Sequence, residues 1–267
     1  MRTHALAGPI LFLFLTTGCA STSTEGPATA SCEGAGPQTP RDIDSPEGTN
    51  SSIFSLAPDS TQMNLCNLHF HGPAEHRAED FSLEADPPPG FQCNARTSLA
   101  TDELAPLADN HCRGVQPGDT IEVHWVFSSC DVAPGKGLDA CLSDLCGNPN
   151  LRVETQVFLV VDDPGAIDFR ELDYGGEVDG YHQPKRLPDD TGEPVRFLGS
   201  TTGPSFSERA CSPLQVSWSV RPQCAKVDIT SLNAWCADNV FKEDYAHGVR
   251  ALVTNPRLLS KIGKSGM

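Results

Sequence analysis

Three histidines on two predicted strands have the types and spacing of a metal site. His69 and His71 flank Phe70, and because side chains alternate between the two faces of a strand, the two imidazoles share a face, about 7 Å apart. His124 lies on a second predicted strand, which could bring a third imidazole to the same ion. Three neutral imidazoles with no nearby cysteine favour a catalytic site that keeps an open fourth coordination position.

Two polar residues are spaced to orient these imidazoles. Asn67 precedes His69 by two positions, and Glu122 precedes His124 by two positions. On a strand, each therefore lies on the same face as its histidine and could hydrogen-bond the ring nitrogen that does not face the metal.

The elements that must position these residues are mostly strands. Alternating or continuous apolar runs with β-branched and aromatic residues predict strands over Leu68–His71, Thr120–Phe127, Val153–Val161 and Pro213–Val220. Helices are predicted over Asp102–Leu107 and over Thr230–Asp238, with Thr230 as the N-cap; residues 197–204 have the composition of a polar loop. We therefore expect a mainly β fold: one disulfide-stabilised domain whose central twisted sheet carries the metal site, with few short helices.

The cysteine count points to disulfides in an exported chain. There are 11 cysteines, and assigning Cys19 to a lipid leaves ten, which can form five pairs. Their pairing cannot be deduced from the sequence. No CxxC motif is present, so neither a zinc ribbon nor a thioredoxin-like motif is indicated.

The N-terminal residues have the layout of a bacterial lipoprotein signal. An early arginine, the apolar run Ile10–Leu15 and the sequence Thr16-Thr17-Gly18-Cys19 predict a signal peptide over 1–18 and lipidation of Cys19. Residues 19–36 read as a flexible tether and 37–267 as the folded domain. The protein is thus expected to be exported, either periplasmic or anchored to the outer membrane, with secretion in soluble form as the alternative.

The charge balance limits the classes of partner that the protein can bind. With 19 Lys and Arg against 35 Asp and Glu, the formal charge is −16, which excludes the basic surface that nucleic acids require. Membrane contact is expected only through the N-terminal lipid, and the sequence does not indicate an oligomeric state.

Several motifs together resemble the carbonic anhydrases, most closely the delta class and its bacterial relatives, with an α-type site pattern. They occur in the family's order: NLHFH at 67–71, Glu75-His76, EVHW at 122–125 and GSTTGP at 199–204. Weaker matches occur at 38–43, 216–220 and 243–250.

The resemblance implies a fold, a reaction and a metal. The reaction would be the reversible hydration of carbon dioxide to bicarbonate and a proton, and the small-molecule partners would be that substrate and product. The metal would be Zn²⁺, with Co²⁺ or Cd²⁺ as possible substitutes, and its ligands would be His69, His71 and His124.

The resemblance also assigns roles around the metal. Glu75 and Thr202 would form a pair in which Glu75 accepts the threonine proton and Thr202 orients the attacking oxygen. Asn67, Glu122 and His76 would lie around the ligands, on the side away from the metal, and hold them in orientation. No histidine stands out as the one that exports the proton; the candidates are His111, His182 and His247.

Two other interpretations stay open at this level. His69 and His71, with Glu75 separated from the second histidine by three residues, also have the shape of a cupin metal site, although the cupin glycines are missing. The chain could alternatively be a non-catalytic, zinc-binding lipoprotein that resembles a carbonic anhydrase.

Overall fold

The computed structural model describes Cys32 and residues 34–263. Its ten strands among these residues are β1 (Asn64–His71), β2 (Leu83–Ala85), β3 (Gly90–Gln92), β4 (Thr120–Ser128), β5 (Leu151–Val161), β6 (Tyr174–Val178), β7 (Tyr181–Pro184), β8 (Val195–Ser200), β9 (Gln215–Val220) and β10 (Ala225–Asp228). One α-helix, α1 (Ile229–Ala237), follows β10. Short 3-10 turns cover Ser60–Gln62, Asn94–Ser98, Asp102–Leu104, Leu138–Cys141, Phe169–Glu171 and Pro256–Leu258.

Six strands form a central mixed sheet, and the other four form two small hairpins. The order in the sheet is β1-β4-β5-β9-β8, and β10 also pairs with β5. β1, β4 and β5 are antiparallel neighbours, whereas β9 and β10 run parallel to different parts of β5. The expected mainly β fold with a central sheet is confirmed.

Two hydrophobic cores cover the two faces of the sheet. In β4, Trp125 and Phe127 belong to one core, while Val126 belongs to the other. Because the faces alternate, Glu122 and His124 lie on the same side as Val126. β5 is buried along nearly its whole length, as its continuous apolar run predicts for a strand covered on both faces.

The predicted strands are present with shifted ends. β1 begins at Asn64 rather than Leu68, and β9 begins at Gln215 rather than Pro213. The prediction of a polar loop over 197–204 is wrong for its first half, because Val195–Ser200 pairs with β9 as an edge strand. Only the pairing partner distinguishes this short segment from a loop.

The helix predictions need two corrections. α1 is capped by Asp228, whose carboxylate accepts a hydrogen bond from Ser231 N at 2.8 Å, and not by Thr230. Both residues are good N-caps, but β10 ends at Asp228 and sets the start of the helix. The segment predicted over 102–107 forms only the 3-10 turn Asp102–Leu104.

All ten expected cysteines are paired. The five disulfides are Cys32–Cys211, Cys66–Cys141, Cys93–Cys224, Cys112–Cys236 and Cys130–Cys146. Disulfides in this number are typical of extracellular and periplasmic proteins.

In the part of the chain that the structure describes, no helix has the length and apolarity needed to cross a membrane. The predicted signal peptide, Cys19 and most of the predicted tether lie outside the described residues. The domain boundaries stay a prediction.

Candidate metal centre

β1 and β4 bring the three predicted ligands together. His69 lies directly opposite His124 in the antiparallel register, and His71 is two residues further along the same face of β1. One nitrogen from each of the three rings lies within 4.8 Å of the others, which is the spacing of a site that could hold one metal ion. The sequence prediction that these three imidazoles converge is consistent with this geometry.

In each of the three rings, the nitrogen that does not face the shared metal position is hydrogen-bonded to the protein. The Nδ1 of His69 is 2.6 Å from Asn67 Oδ1, and the Nδ1 of His71 is 2.9 Å from the carbonyl oxygen of Gly248. The Nε2 of His124 is 2.8 Å from Glu122 Oε1. Each partner is an acceptor, so each contacted nitrogen carries the proton. The lone pairs then remain on Nε2 of His69, Nε2 of His71 and Nδ1 of His124.

The electrostatics keep the three rings neutral. Burial is the main cause that lowers the pKa of all three; it holds that of His69 well below its ordinary value and lowers that of His71 to about 4. Charge repulsion from neighbouring imidazoles adds to this effect: from His124 and His71 on His69, from His247 and His76 on His71, and from His71 on His124. Neutral imidazoles are the form that binds a metal. Moreover, the Nε2 of His71 is buried and has no hydrogen-bond partner, an arrangement that is costly unless a ligand fills it.

Glu122 anchors the back of the site. Its Oε1 accepts hydrogen bonds from His124 Nε2 and from His76 Nδ1, the latter at 2.6 Å. Its Oε2 accepts from the backbone N–H groups of Glu75 and His76 at 2.8 and 2.9 Å. Burial raises the pKa of Glu122, but the charge of His76 and the two imidazole hydrogen bonds outweigh it, so the pKa lies well below its ordinary value. Glu122 is therefore an acceptor only.

His76 extends this network away from the metal centre. Its Nε2 contacts the hydroxyl of Thr39 at 2.7 Å, and the ring is fully buried. His76, Glu122 and His124 form a second group whose donor atoms lie close together. Their closest atoms are joined by hydrogen bonds, so this group supports the first one rather than forming another metal site.

Glu75 lies beside the site and is held by the C-terminal segment. Its Oε1 accepts a hydrogen bond from Arg250 N at 2.9 Å and lies 3.6 Å from His71 Nδ1. Burial, and then repulsion from Glu122, raise the pKa of Glu75 to about 7. The side chain of Thr202 lies close enough to Glu75 to lower that pKa, as a weaker influence than burial. The buried Oε2 of Glu75 nevertheless makes no hydrogen bond of ordinary geometry.

The cupin interpretation is not supported. A cupin site would need Glu75 to point at the same ion as the histidines. Among the described residues, Glu75 is absent from both groups that could hold a metal, and its carboxylate lies on the Nδ1 side of His71, away from the free Nε2. The spacing in sequence was compatible with either arrangement.

A cavity of about 390 Å³ opens onto the three imidazoles. Val126, Val153, Val216 and Trp218 supply an apolar wall, and the segment 201–204 with Thr202 lines the rim. Of the three histidines considered for proton export, only His247 lines this cavity. Its ring centroid lies 5.4 Å from that of His69, and its Nε2 contacts Glu243 Oε2 at 2.8 Å.

Sequence reasoning missed the contributions of the C-terminal segment. Gly248 acts through its carbonyl group, and Arg250 acts through its backbone N–H, so neither side chain signals the role. The guanidinium of Arg250 is buried and donates to the carbonyl oxygens of Thr39 and Ser207, both at 2.8 Å. These bonds hold the segment against the site. The single available signal was the resemblance around 243–250.

Comparison with known proteins gives a family match. The family model described as Delta carbonic anhydrase matches residues 60–231, a range that includes all three imidazoles, Glu75, Glu122 and Thr202. No curated protein is significantly similar in sequence.

Two solved structures are similar at a low level. The α-carbonic anhydrase of Thermovibrio ammonificans, in complex with the inhibitor sulfanilamide, is 14% identical, with a TM-score of 0.31 over 79% of this chain and 83% of that one. The α-carbonic anhydrase of Photobacterium profundum is 17% identical, with a TM-score of 0.31 over 81% of this chain and 86% of that one. The family match spans well over half of the sequence, and the chain therefore belongs to the delta carbonic anhydrase family.

Proposed function

We propose that this protein catalyses the zinc-dependent, reversible hydration of carbon dioxide to bicarbonate and a proton. One observation carries the proposal: three neutral imidazoles converge, each with its outer nitrogen protonated and held, and the buried Nε2 of His71 has no partner. This donor set of nitrogen atoms without thiolate suits Zn²⁺, with Co²⁺ or Cd²⁺ as substitutes. When bound, zinc would lower the pKa of a water ligand to ~7 and so supply hydroxide near neutral pH.

The residues behind the ligands determine which nitrogen is free. Asn67, Gly248 and Glu122 each accept the N–H of one ring, which keeps the lone pair of that ring directed at the metal position. Such partners orient metal-binding histidines and raise their basicity.

Glu75 and Thr202 are proposed to orient the attacking oxygen. When Glu75 is ionised it can only accept, so a Thr202 hydroxyl that donates to it is left to accept the proton of the attacking water or hydroxide. This fixes one lone pair toward the substrate. The apolar wall of Val126, Val153 and Val216 is suited to carbon dioxide, which has no charge and no net dipole.

The first test is the rate of carbon dioxide hydration by stopped flow, with zinc-loaded protein and with a chelator-stripped sample. We expect a fast rate that is lost on stripping and restored by zinc. H124A should lose stoichiometric zinc and the rate, whereas H111A, which changes an exposed histidine away from the cavity, should keep both. A folded H124A protein with full zinc and full rate would contradict the ligand assignment.

A second test separates orientation from metal binding. T202V should retain zinc but lose roughly 100-fold in rate, which is typical for misplacement of a reacting group. T202S keeps the hydroxyl and should restore most of the rate. An unchanged rate in T202V would show that the Glu75–Thr202 assignment is wrong. A folded, zinc-bearing protein with no rate at all would favour a non-catalytic zinc-binding role.

We further propose that the protein is exported and anchored through a lipid on Cys19. The five disulfides support export to an oxidising compartment, and the sequence around Cys19 supports lipidation. Intact-mass measurement of the protein made in a bacterial host, beside the C19S variant, tests this. A mature chain that begins before Cys19 or carries no lipid would contradict it.

A further inference from the structure

Exposed apolar side chains are concentrated on one side of the molecule. Of the twelve large apolar or aromatic side chains that are exposed among the described residues, five line one groove. We call this surface the apolar face; the five side chains that line its groove are Ile53, Phe54, Leu138, Leu142 and Leu214, and the exposed Leu145 lies in the chain between the lining residues Leu142 and Gly147. Contiguous exposed apolar surface on a soluble domain typically marks a contact site for a protein or a membrane.

The most exposed apolar side chain beside the groove lies on a turn that a disulfide holds in place. Leu145 is 99% exposed and lies at the tip of a tight turn in which Ser143 and Cys146 exchange backbone hydrogen bonds of 3.3 and 2.9 Å. Cys146 is bonded to Cys130. A leucine presented to solvent on a cross-linked turn cannot easily withdraw into the core, so its exposure is a stable property of the surface.

The start of the described chain lies beside the same face. Cys32 is bonded to Cys211, only three residues before Leu214. Asn50 donates a hydrogen bond to the carbonyl oxygen of Ala35 at 3.1 Å, three residues before Ile53. The chain that leads back to Cys19 therefore leaves the domain at the edge of the apolar face.

The length of that connection limits which surface can approach an anchor. Twelve residues separate Cys19 from Cys32, and covalent geometry limits this connection to about 45 Å. A domain of this size is itself about 45 Å across. A lipid on Cys19 therefore holds the edge around Cys32 near the membrane, while the opposite end of the sheet is reached only at full extension.

We propose that the apolar face contacts the surface of a lipid bilayer, with the side chains of Leu142 and its neighbours entering the interfacial region. This inference rests on the proposed lipid at Cys19. No lysine or arginine is among the described residues that line the groove, and the whole chain carries a charge of −16. The contact is therefore apolar rather than electrostatic, and it fits a zwitterionic lipid surface.

The same contact would place the metal centre beside the membrane. The groove of the apolar face and the cavity over the imidazoles share Leu138, Leu151 and Val216. The cavity would thus open next to the bilayer, in which an uncharged gas dissolves readily.

Tryptophan probes can test the orientation, because the native tryptophans are no more than 2% exposed and contribute little to quenching by lipid. We would place the full, lipid-bearing chain on phosphatidylcholine vesicles whose acyl chains carry bromine, and compare L142W with L104W. Leu104 is a matched control: it is 43% exposed, as is Leu142, and it lies near the Val161 end of β5, opposite the Leu151 end that lines the groove. We expect at least about twofold quenching of the probe emission, taken as the difference between variant and wild type, for L142W, little for L104W, and no loss in high salt.

Three results would overturn the proposal. Equal quenching of the two probes would show that the domain does not present this face. A concentration-dependent dimer that buries the L142W probe would identify a second copy as the occupant. A chain without lipid on Cys19 would remove both the anchor and this orientation, while the proposed hydration of carbon dioxide, measured separately, would be unaffected.

Discussion

Replacing Glu122 by glutamine would test whether the carboxylate of Glu122 fixes which ring nitrogen of His124 is left unprotonated for the metal. The glutamine has nearly the same shape, but one of its two terminal atoms donates hydrogen bonds instead of accepting them. If the amide NH2 group faced the backbone N–H groups of Glu75 and His76, four donors would oppose one another. The amide therefore turns its NH2 group toward the imidazoles, so that Nε2 of His124 must accept and the ring proton moves to Nδ1.

E122Q should weaken both zinc binding and the stability of the fold. A proton on Nδ1 of His124 removes the lone pair that would bind zinc, and loss of such an orienting partner typically weakens metal binding by about 10- to 100-fold. The two imidazole hydrogen bonds to Glu122 change from charge-assisted to neutral. Because charged hydrogen bonds are roughly twice as strong, each loses about 1 kcal/mol, and the free energy of unfolding falls by about 2 kcal/mol.

Zinc affinity would be measured by competition with a chromophoric chelator, and stability by urea unfolding of the metal-free protein. E243Q is the matched control, since Glu243 is a buried carboxylate that contacts His247 at 2.8 Å in the same cavity but contacts none of the three ligands. Its zinc affinity should stay within a few-fold of the wild type. A folded E122Q protein with wild-type zinc affinity would refute the reasoning.

Two further predictions concern stability. The pKa of Glu75 is raised to about 7 in the folded protein. Between about pH 4.5 and pH 7 the folded metal-free protein therefore keeps a proton on Glu75 that the unfolded chain has released. Because the unfolded state binds fewer protons, this group lowers the free energy of unfolding as the pH rises through that range. E75Q should therefore gain about 3 kcal/mol relative to wild type between pH 5 and pH 8 in urea unfolding; a pH-independent difference would contradict the raised pKa. Removing the Cys112–Cys236 bridge, which spans 124 residues, should cost about 5 kcal/mol against about 3 kcal/mol for Cys130–Cys146, which spans 16. Urea unfolding of C112A/C236A and C130A/C146A measures both costs, and the reverse order would count against the loop-entropy argument.

Local periodicity was enough to predict the centre of the site. The alternation of a strand places Asn67 with His69, and Glu122 with His124, whatever the rest of the chain does. The structure has both pairs in hydrogen-bond contact. The fold class and the number of disulfides also followed from the sequence, because apolar patterning and cysteine count do not depend on which segments meet.

Local signals failed where two residues of equal propensity competed. Asp228 and Thr230 can both cap a helix, and the pairing of β10 with β5 decided for Asp228. In the same way, residues 195–200 have the composition of a loop at their C-terminal end, and they form a strand because β9 offers a free edge.

The distant groups that complete the site come together only through long-range contacts of the folded chain. The three imidazoles and their two nearest partners could be predicted from the order of residues alone, since spacings of two residues along a strand put each pair on one face. The carbonyl of Gly248 against His71 and the N–H of Arg250 against Glu75 join segments 177 and 175 residues apart. Backbone groups are the same at every position, so no residue type announces them. Their roles, like the pairing of the ten cysteines, exist only once the chain has folded and brought those segments into contact.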